Sequence, residues 1–403
     1  MAAAPDLLGV LLPGILELLS EAEILAASIV CSHWTSSARA DQVWIPCCRR
    51  RWHFGALLGA PGSEAPGARD QASLEHWERA ADEQRKGSLS TEAFRFYVDR
   101  CRLDAEVRTW LGTVAEGGSY GASREERGEA KNAILQRGAD ALDVLLKLER
   151  TKCNLQAVAR VVRQILSDEW AAKKWAQLLQ RPAEAATLEE GALVLSQWAR
   201  PDADVASMRL SLETLAARAT ELGARRISEG MPSREEATAM IAAVNTALFT
   251  EYGLAGNTSD YYNDGNSLLH MVLSTKKGIP ISLSVVWAAV ARRCNLSCHP
   301  LAGFPAHVLI RIPVRRNADS TTFAEAEDIY VDAFDGGKQM AWNDLFSFLG
   351  MRGGAGITEE QLRQCVSILP PVQLYMRMMR NLVNIYQQKG DKARMDGITK
   401  QMR

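Results

Sequence analysis

The stretch KKGIPISLSVVWAAVARRCN (276–295), followed by GFPAHVLIRI (303–312) and DIYVDAFDGG (328–337), decides the fold of this chain. Pro280 suits the first turn of a helix, because its missing N–H has no partner there anyway. The helix it opens has a continuous apolar body in Leu283, Val285, Val286, Trp287 and Val290, and runs to about Arg293. Period-2 alternation then marks two strands, around Ala306–Pro313 and Asp328–Ala333. His307 opens the first strand and Asp332 lies in the second. A base and an orienting acid are two of the three groups that nucleophilic hydrolysis needs, the third being the nucleophile itself.

Away from this core the pattern is helical. It covers Leu74 to about Gln180, Thr187 to Trp198, Val205 to about Ile227, MPSREEATAMIAAVNTALFTEY (231–252) and Val372–Gln401, where Gly390-Asp391 is a turn. Ser233 and Glu236 have capping-box spacing, and Asn266 is placed to cap a helix ending before Gly278. Strands are few, so the fold class is mostly α with an α+β core. The expected sheet is small and antiparallel, and the closing helix pair has the look of a single TPR-like repeat unit.

Composition bounds the function. The chain has 403 residues, a formal net charge of −1, 47% hydrophobic residues and 24% charged residues, the profile of an ordinary globular protein. Eight cysteines, irregularly spaced, fit a reducing compartment better than a disulfide framework. The apolar run Leu7–Leu19 lacks a basic flank and is broken by Pro13, so it reads neither as a signal peptide nor as a membrane span. The arginines of CCRRRWHF (47–54) read as a solvated helix end, so nucleic acid is not an expected partner. Cys294, Cys298 and His299 supply three metal-ligand types with no fourth nearby and read as core residues. No metal or cofactor is expected; neither a phosphate-binding glycine loop nor a dinucleotide fingerprint occurs. The expected location is the cytoplasm, the nucleus or both.

The N-terminal segment LLPGILELLSEAEILAASIVCSHW (11–34) places Leu12, Ile15, Leu16 and Leu19 before a Ser20/Glu23 capping box, with Ile24, Leu25 and Ile29 on one face of the next helix. Val30, Trp34 and, ten residues later, Trp44 complete the spacing. With Leu12-Pro13 at its start, this segment resembles an F-box. The resemblance implies that Leu12, Pro13, Ile15, Leu16, Leu19, Ile24, Leu25, Val30, Trp34 and Trp44 contact the Skp adaptor of a cullin-based ubiquitin ligase. A module this short cannot bury its own apolar face, and a partner completes it. A helical hairpin packed within the chain is the competing reading.

Residues 185–403 resemble the SirB-like branch of the transglutaminase superfamily, carried by NSLLHMVLSTKKGIPISLS (266–284), GFPAHVLIRI, YVDAFDGG and MRMMRNLVNIYQQKGDKAR (376–394). That resemblance implies a base at His307, an orienting acid at Asp332, and a nucleophilic cysteine in the first helical turn. The cysteine position falls on Pro280. Cys294, at about 1.5 Å per residue, is about 20 Å along the helix from it. Ser282 is nearer but points to another face. The expected domains are therefore an F-box (1–54), a linker (55–73), a helical region (74–182), a SirB-like domain (183–350) and a C-terminal helical segment (351–403). F-box proteins of this arrangement often add a module resembling a hemimethylated-DNA-binding domain. With the sequence stopping at Arg403, that module is expected to be absent.

The expected function is a substrate-recognition subunit of a Skp–cullin–F-box ligase, without catalysis of its own. His307 and Asp332 would be a vestigial pair lining a cleft. An active hydrolase using Ser282 or another nucleophile, and an F-box scaffold that does not promote ubiquitination, stand as alternatives.

Overall fold

The second half of the chain is built around one helix. In the computed structural model, which describes residues 44, 92–116, 122–181, 188–223, 231–305, 307–315, 326–351 and 356–402, Pro280–Arg293 is helical and every residue from Pro280 to Ala291 is buried. A helix apolar on all sides must be surrounded. To name its neighbours, the described helices are numbered α1 (Glu92–Ala115), α2 (Arg124–Arg137), α3 (Leu142–Arg150), α4 (Gln156–Leu179), α5 (Leu188–Ala199), α6 (Val205–Leu222), α7 (Arg234–Asn245), α8 (Leu269–Thr275), α9 (Pro280–Arg293), α10 (Trp342–Gly350), α11 (Glu359–Cys365), α12 (Pro371–Lys389) and α13 (Lys392–Gln401). Helices α5, α6, α7, α8 and α12 all pack on α9.

The sheet covers the remaining side of α9. Strands β3 (His299–Pro300), β4 (Ile310–Arg315), β5 (Ala326–Asp332) and β6 (Lys338–Met340) form an antiparallel sheet in that order. Ile310 pairs with Val331, and Asp332 with Lys338. Alternation sends Ile310, Ile312, Val314, Ile329 and Val331 into the α9 core. Leu309 and Tyr330 go to the other face, where they meet Leu345, Phe348 and Leu349 of α10 and Leu362 of α11. A second, parallel pair joins β1 (Ala255–Gly256) to β2 (Lys277–Gly278), just before α9. The protein is mostly α with an α+β core.

The chain divides into two compact units, Met1–Leu166 and Ser167–Arg403. In the first, Val107, Leu111, Ile134, Leu142, Leu145, Val162 and Leu166 form the described core. There the buried Arg100 guanidinium donates to the Asp140 and Asp143 carboxylates. In the second, α12 and α13 bury Leu374, Met378, Leu382, Tyr386 and Ile398 in the same core as α9. The turn between α12 and α13 is closed by Gly390 at φ 69°, a left-handed conformation that favours glycine. The F-box positions Leu12, Pro13, Ile15, Leu16, Leu19, Ile24, Leu25, Val30 and Trp34 lie outside the described residues; Trp44 is helical and buried.

Three local expectations are met and two are corrected. Pro280 is the first residue of α9, the Ser233–Glu236 capping box is present, and Gly390-Asp391 is a turn. Asn266 does not cap α8, which starts after Leu268 without a side-chain cap. Its amide instead donates to the carbonyls of Asp260 and Tyr261, a better-satisfied arrangement for a buried side chain. His307 does not open a strand: β4 begins at Ile310. The carbonyls of Ala302, Phe304 and His307 accept hydrogen bonds from the Arg377 guanidinium of α12. A side chain thus takes the place of a strand partner there.

Candidate functional site

His307 and Asp332 meet. The His307 Nε2 lies 2.8 Å from Asp332 Oδ1, with the two side chains only 4% and 1% exposed. The local sequence explains the carboxylate's place. Asp332 ends β5, its Oδ1 also accepts the Phe334 N–H at 3.0 Å, and its carbonyl accepts the Gly337 N–H at 2.9 Å. This turn requires Gly337, whose φ is 78°, and any Cβ there would fall 2.0 Å from Asn245 Oδ1. Asn245 in turn donates to the Gly337 carbonyl at 2.8 Å and accepts the Trp287 indole N–H at 2.9 Å, which locks the turn to α9.

Aromatic rings enclose the imidazole. Phe348 of α10 lies 5.3 Å and Phe334 6.1 Å from its ring, both edge-on. Phe334 also closes over Gly256 of β1: a Cβ there would lie 2.7 Å from its ring. Since β1 pairs with β2 immediately ahead of α9, the pair sits on the same side of the molecule as the start of that helix. The Ser284 hydroxyl donates to the Val308 carbonyl at 3.2 Å, which ties the second turn of α9 to the residue after His307.

The start of α9 holds a proline where the resemblance places a cysteine. Pro280 is buried at the first helical position. The Ser282 hydroxyl accepts the Ile279 N–H at 3.1 Å and donates to the Asn266 carbonyl at 2.5 Å. It thereby acts as a helix-start hydrogen bond, and its partners do not include His307. Gly278 makes room for it: a Cβ at that position would lie 2.8 Å from Ser282 Oγ. The cysteines at the far end of α9 are core groups. Cys294 Sγ donates to the Ala216 carbonyl and Cys298 Sγ to the Ala288 carbonyl, and burial raises both thiol pKa values, that of Cys298 to about 11. Among the described residues no group of three His, Cys, Asp or Glu side chains is arranged to hold a metal ion.

Among the described residues, the pair that was expected to line a cleft is buried. Pro280, Ser282, His307 and Asp332 are all buried, because Phe334 and Phe348 close over the imidazole. Two contributors were missed by sequence reasoning. Arg377 holds the loop that carries His307, and Asn245 holds the turn that follows Asp332. Burial pulls the Arg377 pKa down from its ordinary value. Neither residue has a signal in the sequence beyond lying on a helix, since their partners are groups distant in sequence.

A buried acid–base pair beside a helix that begins Gly-Ile-Pro suggests the same family as the sequence. Residues 206–380 match the transglutaminase-like superfamily. This part of the chain is a transglutaminase-like domain. The match ends inside α12, past Arg377, so that residue lies within it. The chain is also similar to F-box only protein 21 of Mus musculus, 25% identical over 266 residues that cover 62% of this chain and 41% of that protein. The human F-box only protein 21 gives the same identity and coverage. A UPF0162 protein of Xylella fastidiosa (strain 9a5c) is 33% identical over 149 residues, 36% of this chain and 48% of that protein. The chain thus spans about two fifths to one half of the length of these curated relatives. No solved structure gives a match. No described helix is long and apolar enough to cross a membrane.

Proposed function

We propose that this chain is the substrate-recognition subunit of a Skp–cullin–F-box ubiquitin ligase, and that its transglutaminase-like domain binds the target without acting on it chemically. The observation that carries the reading is the start of α9. The position that the family resemblance assigns to the nucleophile is a buried proline, and the hydroxyl two residues on is engaged in the helix start. His307 and Asp332 then serve as an internal strut. Similarity to proteins named F-box only protein 21 supports the ligase context.

In this reading residues 1–54 dock to the Skp adaptor through Leu12, Pro13, Ile15, Leu16, Leu19, Ile24, Leu25, Val30, Trp34 and Trp44, and the cullin scaffold and its RING partner supply the ubiquitin-transfer chemistry. The chain works in the cytoplasm, the nucleus or both. A hydrolase using Ser282 is disfavoured, because a serine needs a base within hydrogen-bond reach and this hydroxyl has carbonyl and N–H partners instead.

The test is co-purification of the Skp adaptor with the full chain. Leu16→Ala combined with Leu25→Ala is expected to abolish it. Undiminished binding by that variant would overturn the adaptor assignment. A companion assay for amidase activity of the pure protein is expected to show none above buffer; turnover lost in His307→Ala would overturn the non-catalytic assignment.

A further inference from the structure

The loop from Asn257 to Asn266 is held by its own asparagines. Asn257 Nδ2 donates to Asn266 Oδ1 at 2.9 Å, and Asn266 Nδ2 donates to the Asp260 and Tyr261 carbonyls at 2.6 and 3.1 Å. Asn257 Oδ1 accepts the Asp260 N–H and the Ser259 hydroxyl. Asn263 accepts the Gly265 N–H, and its amide donates to the Asp260 carboxylate at 2.7 Å. Asn257 and Asn266 are buried. A satisfied, buried polar network specifies one conformation, because every alternative leaves polar groups unpaired.

What this rigid loop displays is aromatic. Tyr261 is 37% and Tyr262 61% exposed, with their rings 5.3 Å apart and edge-on. Tyr261 also packs at 6.2 Å on Phe334, the ring that covers His307. Exposed tyrosines on a fixed loop lose little conformational entropy when a partner covers them, which is why such rings recur as binding anchors.

Arg377 lies on the same rim, one contact from His307. It donates three hydrogen bonds, to the carbonyls of Ala302, Phe304 and His307. A guanidinium has five N–H donors, so its Nε–H and one Nη2–H remain without a partner among the described residues. No described carboxylate neutralises it; the titratable group it senses is Tyr261. The neighbouring cations Lys389 and Arg394 differ, because both pair with Asp264. The loop's own acid, Asp260, is engaged with Asn263.

We propose that Tyr261, Tyr262 and Arg377 form the docking surface for an extended, carboxylate-rich segment of the protein that this chain captures. The proposal rests on the target-binding role assigned above to the transglutaminase-like domain, and it moves that role from the buried His307–Asp332 pair to the rim beside it. Arg377 offers its remaining donors to a side-chain carboxylate, and the two rings cover the aliphatic stem and any aromatic neighbour.

Fluorescence anisotropy of the full chain with a labelled poly(Glu,Tyr) copolymer tests the surface, with poly(Lys,Tyr) as the opposite-charge probe. Binding of poly(Glu,Tyr) is expected to be about tenfold tighter or more than that of poly(Lys,Tyr). The double variant Tyr261→Ser, Tyr262→Ser is expected to weaken it by about tenfold, the size of a lost anchor. Arg377→Gln is expected to remove the preference between the two probes. Unchanged melting of the tyrosine variant separates a lost surface from a lost fold. Equal binding of both probes by the wild-type chain, or full binding by a folded tyrosine variant, would overturn the proposal. Skp-adaptor co-purification of the same tyrosine variant is expected to be unchanged. A failure of the adaptor arm alone therefore counts against the ligase reading and not against this surface.

Discussion

The His307–Asp332 pair and the start of α9 sit in the same core, yet they treat the parts of a hydrolytic site in opposite ways. The pair keeps both side chains, bonded to each other at 2.8 Å, but seals them under Phe334 and Phe348. The helix start keeps the geometry, a buried N-terminus following a tight Gly278 approach, but holds a proline and an engaged serine. The contrast teaches that a frame and its reactive groups are separable. The pair and the helix start are each satisfied by internal partners, and a buried hydrogen bond stabilises whether or not a substrate is ever present.

The largest expected effect breaks the pair. Asp332→Ala leaves the His307 ring and the Phe334 N–H without their buried partner, a loss of about 3 kcal/mol at the cost usual for two unsatisfied groups. Urea denaturation measures it, and a loss under about 1 kcal/mol would show that the pair is not a strut.

Next comes the helix start. Ser282→Ala removes the acceptor of the Ile279 N–H and the donor to the Asn266 carbonyl, and about 1–2 kcal/mol of stability is expected to go with it. A neutral substitution there would contradict the assignment of this hydroxyl to structure.

Acid tests two other histidines. Burial lowers the pKa values of His270 and His299 to about 4, from an ordinary value of 6.5. The folded state therefore resists protonation that the unfolded chain accepts. Stability from these rings is complete above about pH 6.5 and is lost as pH falls toward 4. With the partial water access of both rings discounted, the loss between pH 7 and pH 5 is on the order of 1 kcal/mol for each. Melting curves at the two pH values check this, and His299→Gln is expected to flatten the dependence by about half.

The smallest effect sharpens the comparison most. Pro280→Cys restores a thiol at the first turn of α9 and is expected to cost about 0.5–1 kcal/mol, the loss of proline's restriction of the unfolded chain. Because the position is buried, alkylation by iodoacetamide under native conditions is expected to be slower than for a free cysteine in denaturant. Fast native alkylation would show that the site opens to solvent more readily than its packing implies.

Much of this was legible along the chain. Pro280, Gly278 and the unbroken apolar run after them specify a buried helix start, because a proline and a continuous apolar surface each fit one place in a helix. Period-2 alternation placed β4 and β5 to within a few residues, and the order helix, His, Asp indicated a transglutaminase-like frame. Asn266 was misread because an asparagine before an apolar run fits a cap and an internal strut equally well. The start of β4 was misplaced because the carbonyls before it pair with Arg377, about 70 residues away in sequence.

The sequence by itself determined the elements, their order and the absence of a cysteine at Pro280, since local propensity and periodicity are properties of neighbouring residues. Only the tertiary structure decided that His307 and Asp332 are sealed from solvent, that Ser282 is engaged, that Arg377 holds the His307 loop, and that the Tyr261–Tyr262 pair is exposed. Burial and hydrogen-bond partnership depend on which distant segments pack over a side chain, and no local pattern encodes that.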